Sequence, residues 1–172
     1  DGPGRRPPRL ITYPELRRAL GVLATGWEAA GRLQKIRILV AILGFRCGLR
    51  RAETRHLRIA DLRDTGTARA VLIVRPSQLA RTKSASSTRW LPLAAFLPAA
   101  EAGLLAAFVA ERTAEGAIDE DLLFCEPTIP QMPLPDRLVH DVVQQALRQV
   151  TGDLGVRLHT LRHSFLSLLL LR

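Results

Sequence analysis

Tyrosine occurs once in these 172 residues, at position 13; lysine occurs only at positions 35 and 83, and cysteine only at positions 47 and 125. Each scarcity closes off a class of protein. Two distant cysteines without metal-ligand spacing exclude a zinc ribbon and a disulfide scaffold, and nothing argues for an oxidising compartment. Cys47, inside an apolar run, reads as a buried free thiol. Aromatic residues make up only 5% of the chain, so the core must be built from Leu, Ala and Val and should be largely helical. The longest apolar runs, 36–45 and 165–171, are shorter than the roughly 18 residues a membrane span needs. The N-terminal DGPGRRPPRL is polar and Pro-rich, unlike a signal peptide. No Gly-rich phosphate loop and no nucleophile elbow is present. The expected protein is soluble and intracellular, one domain with a sizeable core.

What the chain has in excess is positive charge. The formal net charge is +9, carried almost entirely by arginine. Such a balance points to a polyanionic partner, nucleic acid before membrane; the alternative is a genome that favours arginine codons.

The local patterns assemble into a mixed domain. Residues 1–11 read as a linker or arm, and residues 12–172 as the domain. Thr12, with Glu15 three residues on, forms a capping box that opens a helix over 13–29. A more buried helix follows over 32–46, with Gly48 as the residue that closes it, and a short helix over 52–57. Strands are expected at 59–62, 70–74 and 89–91, with turns at Asp64-Thr65-Gly66 and around 82–87. Residues 97–113 are helical, 122–124 form a short apolar piece, and a loop follows with Pro127, Pro130, Pro133 and Pro135. An amphipathic helix spans 137–150, Gly152 and Gly155 break it, and His159 opens the last helix. The fold class is therefore α+β, mostly helical, with a small three-stranded antiparallel sheet.

Three clusters carry chemistry. His159, Arg162 and His163 share one helical face, one turn apart. Two imidazoles four residues apart suit zinc, but no third ligand is spaced to join them and Arg162 between them repels a cation, so no metal is expected. An anion suits the same groups, because Arg162 and His159 offer charge-assisted donors. Arg50 follows Gly48-Leu49 directly, and Glu53 three residues on can hold a guanidinium in position. Lys83 lies in a polar turn of a chain that otherwise uses arginine, which suits a role for its titratable proton.

Taken together, these residues resemble a family. FRCGLRRAETRHLRIADL is similar to the first arginine box of the tyrosine recombinases, the phage-integrase family. RTKSASSTRWLPL resembles their β-hairpin with its catalytic lysine, LHTLRHSF their second box, and PPRLITYPELRRAL the opening of their catalytic domain. The resemblance implies breakage and rejoining of double-stranded DNA through a covalent 3′-phosphotyrosine intermediate, without cofactor or metal, by an oligomer assembled on the DNA. In it Arg50 and Arg162 would grip the scissile phosphate, Lys83 would protonate the departing 5′ oxygen, and His159 would bind the phosphate and help accept the nucleophile's proton. His163 would support the site, and Glu53 would orient the first arginine region. The implied setting is the bacterial cytoplasm, at the nucleoid, in site-specific recombination or the integration of a mobile element.

The sequence also departs from the family. The Leu-Gly-His motif and the nucleophilic tyrosine that should follow the second box are absent, and Tyr13 falls in the first helix, where the family has no nucleophile. Arg51 stands where a small or apolar residue is more usual. Residues 12–172 thus read as a catalytic domain lacking its C-terminal helices and its nucleophile. The apolar face of the last helix should then be bare. Two alternatives stay open: a DNA-binding relative that does not cleave, acting as an accessory or regulatory protein, and a type IB topoisomerase.

Overall fold

The computed structural model describes residues 9–76 and 88–171. Helix α1 (Tyr13–Leu23) starts at its capping box: the Glu15 N–H donates to Thr12 Oγ1 at 3.3 Å, and the Thr12 N–H donates to the Glu15 carboxylate at 2.9 Å. It ends at Leu23 rather than near Ala29, because Ala24 turns extended ahead of Thr25-Gly26. Ile11, assigned to the arm by its sequence, is buried, and its N–H donates to Ser164 Oγ at 2.7 Å. Helix α2 (Arg32–Cys47) closes on Gly48 in the left-handed conformation, and α3 (Arg51–Arg55) is a short helix just beyond it.

The first predicted strand is mostly a 3-10 turn, Ile59–Asp61, which leaves only β1 (Leu62–Arg63). The cause is Asp61. Its buried carboxylate accepts from the Arg58 N–H at 3.0 Å and from Arg75 Nε at 2.6 Å, curling the backbone that an extended strand would straighten. Strands β2 (Val71–Val74) and β3 (Arg89–Pro92) complete an antiparallel sheet in the order β1-β2-β3. Its register aligns Leu62, Leu72 and Leu91 on one face, toward the core. Helix α4 (Leu93–Phe96) and helix α5 (Ala99–Ala114) are separate because Pro98 lies between them.

A second small sheet occupies the proline-rich segment that reads as a loop. Strands β4 (Cys125–Glu126) and β5 (Ile129–Pro133) pair antiparallel. A two-stranded hairpin consists only of edges, so prolines without an N–H are tolerated there. The buried Arg112 ties this hairpin to α5 by donating to the Leu122 carbonyl at 3.1 Å and to Cys125 Sγ at 3.2 Å. After a 3-10 turn at Asp136–Leu138 come α6 (His140–Thr151), closed by left-handed Gly152, and α7 (His159–Leu170). The observed class is the expected one, α+β and mostly helical with a three-stranded antiparallel sheet; the hairpin is the addition.

Helix α2 is the hub. Ile36, Leu39, Ile42 and Leu43 are fully buried, and α1, α5, α6 and α7 pack around them. The contact with α7 is close at two glycines. A Cβ at Gly44 would lie 3.1 Å from Leu161 Cδ1, and one at Gly48 would lie 2.3 Å from Phe165 Cδ1. Gly44 and Gly48 are four residues apart, as are Leu161 and Phe165, so two turns of one helix accept two turns of the other. Burying Leu161 completely contributes roughly 2–3 kcal/mol. Phe165 also packs against Phe96, with ring centroids 6.0 Å apart. Beyond Phe165 the packing stops: Leu168, Leu169, Leu170 and Leu171 are exposed, as the sequence leads one to expect. Cys47 is buried beside this contact, and burial first, with the charge of Glu101 second, pushes its thiol up to about 12. Among the described residues no helix is long and apolar enough to cross a membrane.

Gly48→Ala combines a positive φ of 66° with the clash against Phe165. A left-handed non-glycine residue costs about 1–2 kcal/mol and overpacking a further 1–3 kcal/mol or so. Urea unfolding should therefore show a loss of at least about 2 kcal/mol; an unchanged midpoint would contradict the close α2–α7 packing.

Candidate functional site

The α2–α7 contact brings the two arginine-bearing segments together. Arg162, on the first turn of α7, donates through Nη1 to the carbonyl of Gly48, two residues before Arg50. Arg50 is exposed, while Arg162 is half-buried. The proton affinity of Arg162 is lowered by burial first and then by the charges of Arg50 and Arg89, with Glu53 acting in the opposite sense. His159 is lowered from its ordinary value too, by burial and by His163, Arg162 and Arg50 in that order. Five positively charged or chargeable side chains, Arg50, Arg89, Arg162, His159 and His163, thus share one field. The rings of His159 and His163 meet edge to face, 4.5 Å between centroids. Lys83 falls within residues 77–87 and lies outside the described residues.

Glu53, read as holding a guanidinium and orienting the first arginine region, lies against the Arg50 backbone and the Arg89 guanidinium. Its carboxylate accepts from the backbone N–H of Arg50 at 2.8 Å and from Nη2 of Arg89 at 3.1 Å. It therefore fixes the start of α3 and docks β3 beside it, while among the described residues no carboxylate pairs with the Arg50 side chain. Arg89 stands in the hairpin motif of the sequence, yet nothing in its spacing marked it as Glu53's partner, because the two are 36 positions apart.

Helix α3 has five residues, too few to stand by itself. Side chains from the 3-10 turn before α6 and from the first turn of α6 hold it. Arg51 Nη1 lies 3.1 Å from Asp136 Oδ2 and 3.3 Å from Asp141 Oδ1, and Arg55 Nε lies 3.6 Å from Asp136 Oδ1. Buried Thr54 meets His140 Nε2 at 2.8 Å, and His140 Nδ1 is 3.1 Å from Asp136 Oδ1. An Asp-His-Thr chain has the composition of a hydrolytic triad. Here Thr54 and His140 are only 2% and 3% exposed, and the threonine hydroxyl also donates to the Arg51 carbonyl at 2.9 Å. The group is a brace for the helix that follows Arg50. Arg51, unusual at its position by resemblance, is half of that brace. The Asp136/His140 spacing of four residues was the available signal, but it fell at a predicted loop–helix junction.

Tyr13 stands on the exposed side of α1, where the Arg46 guanidinium lies 4.6 Å from its ring centroid. Arg46 is itself held by Glu101 through two bonds of 3.0 Å. Among the described residues no three or more His, Cys, Asp or Glu side chains gather as a metal site. Arg50 and His159 line a common cleft of about 180 Å³ with Leu49, Arg51, Gln144, Arg157 and Leu158. The chemistry this arrangement offers is concentrated positive charge at a surface cleft, suited to a phosphate.

The fold is shared with recombinases of known structure. Crystal structures of the site-specific recombinase XerH, one a post-cleavage complex bound to palindromic difH substrate and one a pre-cleavage complex bound to difH substrate, superpose on 94% and 93% of the chain; both have a TM-score of 0.66, with 21% and 20% sequence identity. A crystal structure of the XerA recombinase covers 99% of the chain at a TM-score of 0.66 and 16% identity. The chain spans 42% of the XerH chains and 53% of the XerA chain. No protein-family model matches the sequence, and no curated protein matches it significantly.

The brace has a measurable pH signature. Burial, reinforced by the charges of Arg51 and Arg55 and opposed by Asp136, pushes His140 down to about 4. The unfolded imidazole titrates near 6.5. Below that pH the unfolded state takes up a proton that the folded state refuses, so the stabilisation is complete above about 6.5 and is lost as pH falls toward about 4. Unfolding free energies measured from pH 7 to pH 4 should fall by something on the order of 2–3 kcal/mol from this group. His140→Gln, which cannot titrate, should flatten that part of the profile; an equally steep profile would sink the account.

Proposed function

We propose that this chain supplies the phosphate-handling site of a tyrosine-type site-specific DNA recombinase or integrase. The observation that carries the reading is the juxtaposition of Arg50 and Arg162 at the α2–α7 contact, from segments more than a hundred positions apart in the chain. The recombinase fold and the two sequence boxes support it. In this reading the two guanidinium groups bind the non-bridging oxygens of the scissile phosphate and stabilise the charge of the pentacoordinate transition state. A tyrosine outside these 172 residues attacks phosphorus. The P–O5′ bond breaks, a 3′-phosphotyrosine forms, and the 5′ oxygen leaves with a proton from Lys83. His159, whose proton affinity is lowered by its cationic neighbours, is neutral near pH 7 and takes the tyrosine's proton. Glu53, Arg89 and the Asp136–His140 brace keep Arg50 in place, and His163 supports His159. Double-stranded DNA is the partner, with recombination completed by an oligomer on the DNA, in the bacterial cytoplasm.

The test is a duplex nicked beside the scissile phosphate, incubated with the product of the full reading frame, with a denaturant-stable protein–DNA adduct as the readout. Arg50→Ala and Arg162→Ala should each lower the rate of adduct formation by roughly 10²–10³-fold. Duplex binding, which is spread over many basic residues, should weaken far less. Binding without any adduct from the wild-type protein would identify a non-cleaving relative instead.

Lys83 has a separate test. Lys83→Arg keeps the charge but not an easily released proton, so cleavage of ordinary DNA should nearly cease. A substrate with sulfur in place of the bridging 5′ oxygen needs no protonation of its leaving group and should restore the rate. Near wild-type cleavage of ordinary DNA by Lys83→Arg would remove Lys83 from the mechanism.

A further inference from the structure

The cleft shared by Arg50 and His159 has another wall. Arg157, two residues before α7, and Gln144, on α6, line the same cavity. The backbone around Arg157 is fixed. Its N–H donates to Thr160 Oγ1 at 3.0 Å, the next N–H, of Leu158, donates to Gln144 Oε1 at 3.0 Å, and Arg148 Nε holds the Val156 carbonyl at 2.8 Å. The segment joining α6 to α7 is thus pinned on both sides of an exposed arginine.

The charges in this cleft are not equivalent. Arg51 is answered by Asp136 and Asp141. Among the described residues Arg157 has no carboxylate partner, and neither does Arg50. No acidic side chain lines the cavity. Gln144 has used its oxygen on Leu158, which leaves its amide hydrogens as donors. The first anion position is also well supplied without Arg157. A phosphodiester has two non-bridging oxygens, and Arg50, Arg162 and His159 already present more donors than these accept.

We propose that Arg157 and Gln144 form a second anion subsite beside Arg50 and His159, one that takes the adjoining phosphate of the same DNA strand. This inference rests on the reading of Arg50 and Arg162 as a DNA phosphate site. Arg157 supplies charge and a guanidinium fork, and Gln144 supplies a neutral donor. Two neighbouring phosphates gripped at once set the register of the strand along the cleft, which a single phosphate contact leaves free to rotate.

Counterion release distinguishes one phosphate from two, because each phosphate neutralised contributes about 0.9 to the slope of log K against log salt. The chain as it stands is titrated with a 20-base-pair duplex at several salt concentrations, with circular dichroism confirming that each variant is folded. Arg157→Ala should lower the slope by about 0.9, and Arg157→Lys should retain it. Gln144→Ala should weaken binding a few-fold without changing the slope. The triple variant Arg50→Ala/Arg162→Ala/Arg157→Ala should lower the slope by about 1.8, one increment for each of two phosphates, because Arg50 and Arg162 serve the first together. A triple variant no lower than the Arg50→Ala/Arg162→Ala double one would mean that Arg157 serves the same phosphate, and the second subsite would be wrong. An Arg157→Ala slope equal to that of the wild type would overturn it as well. If the wild-type chain shows no salt-dependent duplex binding, the DNA reading itself falls, an outcome distinct from the other two.

Discussion

Everything at this site depends on how closely α7 can approach α2. Gly44 on α2 and Gly48, which closes it, receive Leu161 and Phe165; a further carbon at Gly44 would be tight, and at Gly48 it has no room. Gly48 carries several constraints at once. Its positive φ ends α2, its bare Cα admits the Phe165 ring, and its carbonyl holds Arg162. Two residues later the chain presents Arg50. A hydrophobic contact therefore sets the spacing of two cations that would otherwise repel each other. Apolar burial is non-directional, but glycine and leucine meeting at a fixed height on two helices makes it specific.

Electrostatics follow from that packing. The carboxylates near the site are spent on backbone and on supporting arginines. Glu53 holds the Arg50 N–H and the Arg89 side chain, and Asp136 and Asp141 hold Arg51 and Arg55. The result is a rigid frame around guanidinium groups whose own charge is left unanswered. Such a frame would suit an incoming anion, since a donor held in place loses little freedom when a ligand arrives. The lowered proton affinities of Arg162 and His159 express the same field from the side of the protein.

The small α3 helix shows how the supporting frame is built from side chains far apart in the sequence. Arg51, Thr54 and Arg55 present a polar face to α6, and a buried neutral histidine completes it. Neutral histidine is the form that burial favours, because the charged form would be held beside two arginines.

Local chemistry in the sequence determined the elements that need no distant partner. Thr12 and Glu15 cap α1, Gly48 and Gly152 end their helices by turning left-handed, and apolar spacing marks the buried faces of α2 and α6. The α+β class followed from these, and the two boxes with Arg50, Arg162, His159 and His163 were legible because they are contiguous. Only the tertiary structure decided what crosses the chain. It curled the 59–62 strand around Asp61, paired a proline-rich loop into a hairpin, gave Glu53 to Arg89, and assembled Asp136 and His140 under α3. It also set Arg157 and Gln144 in one cleft with Arg50. The physical reason is range. Capping and periodicity are settled within a turn or two of backbone, whereas an ion pair between residues 36 or 90 positions apart exists only after apolar packing has fixed where each backbone lies.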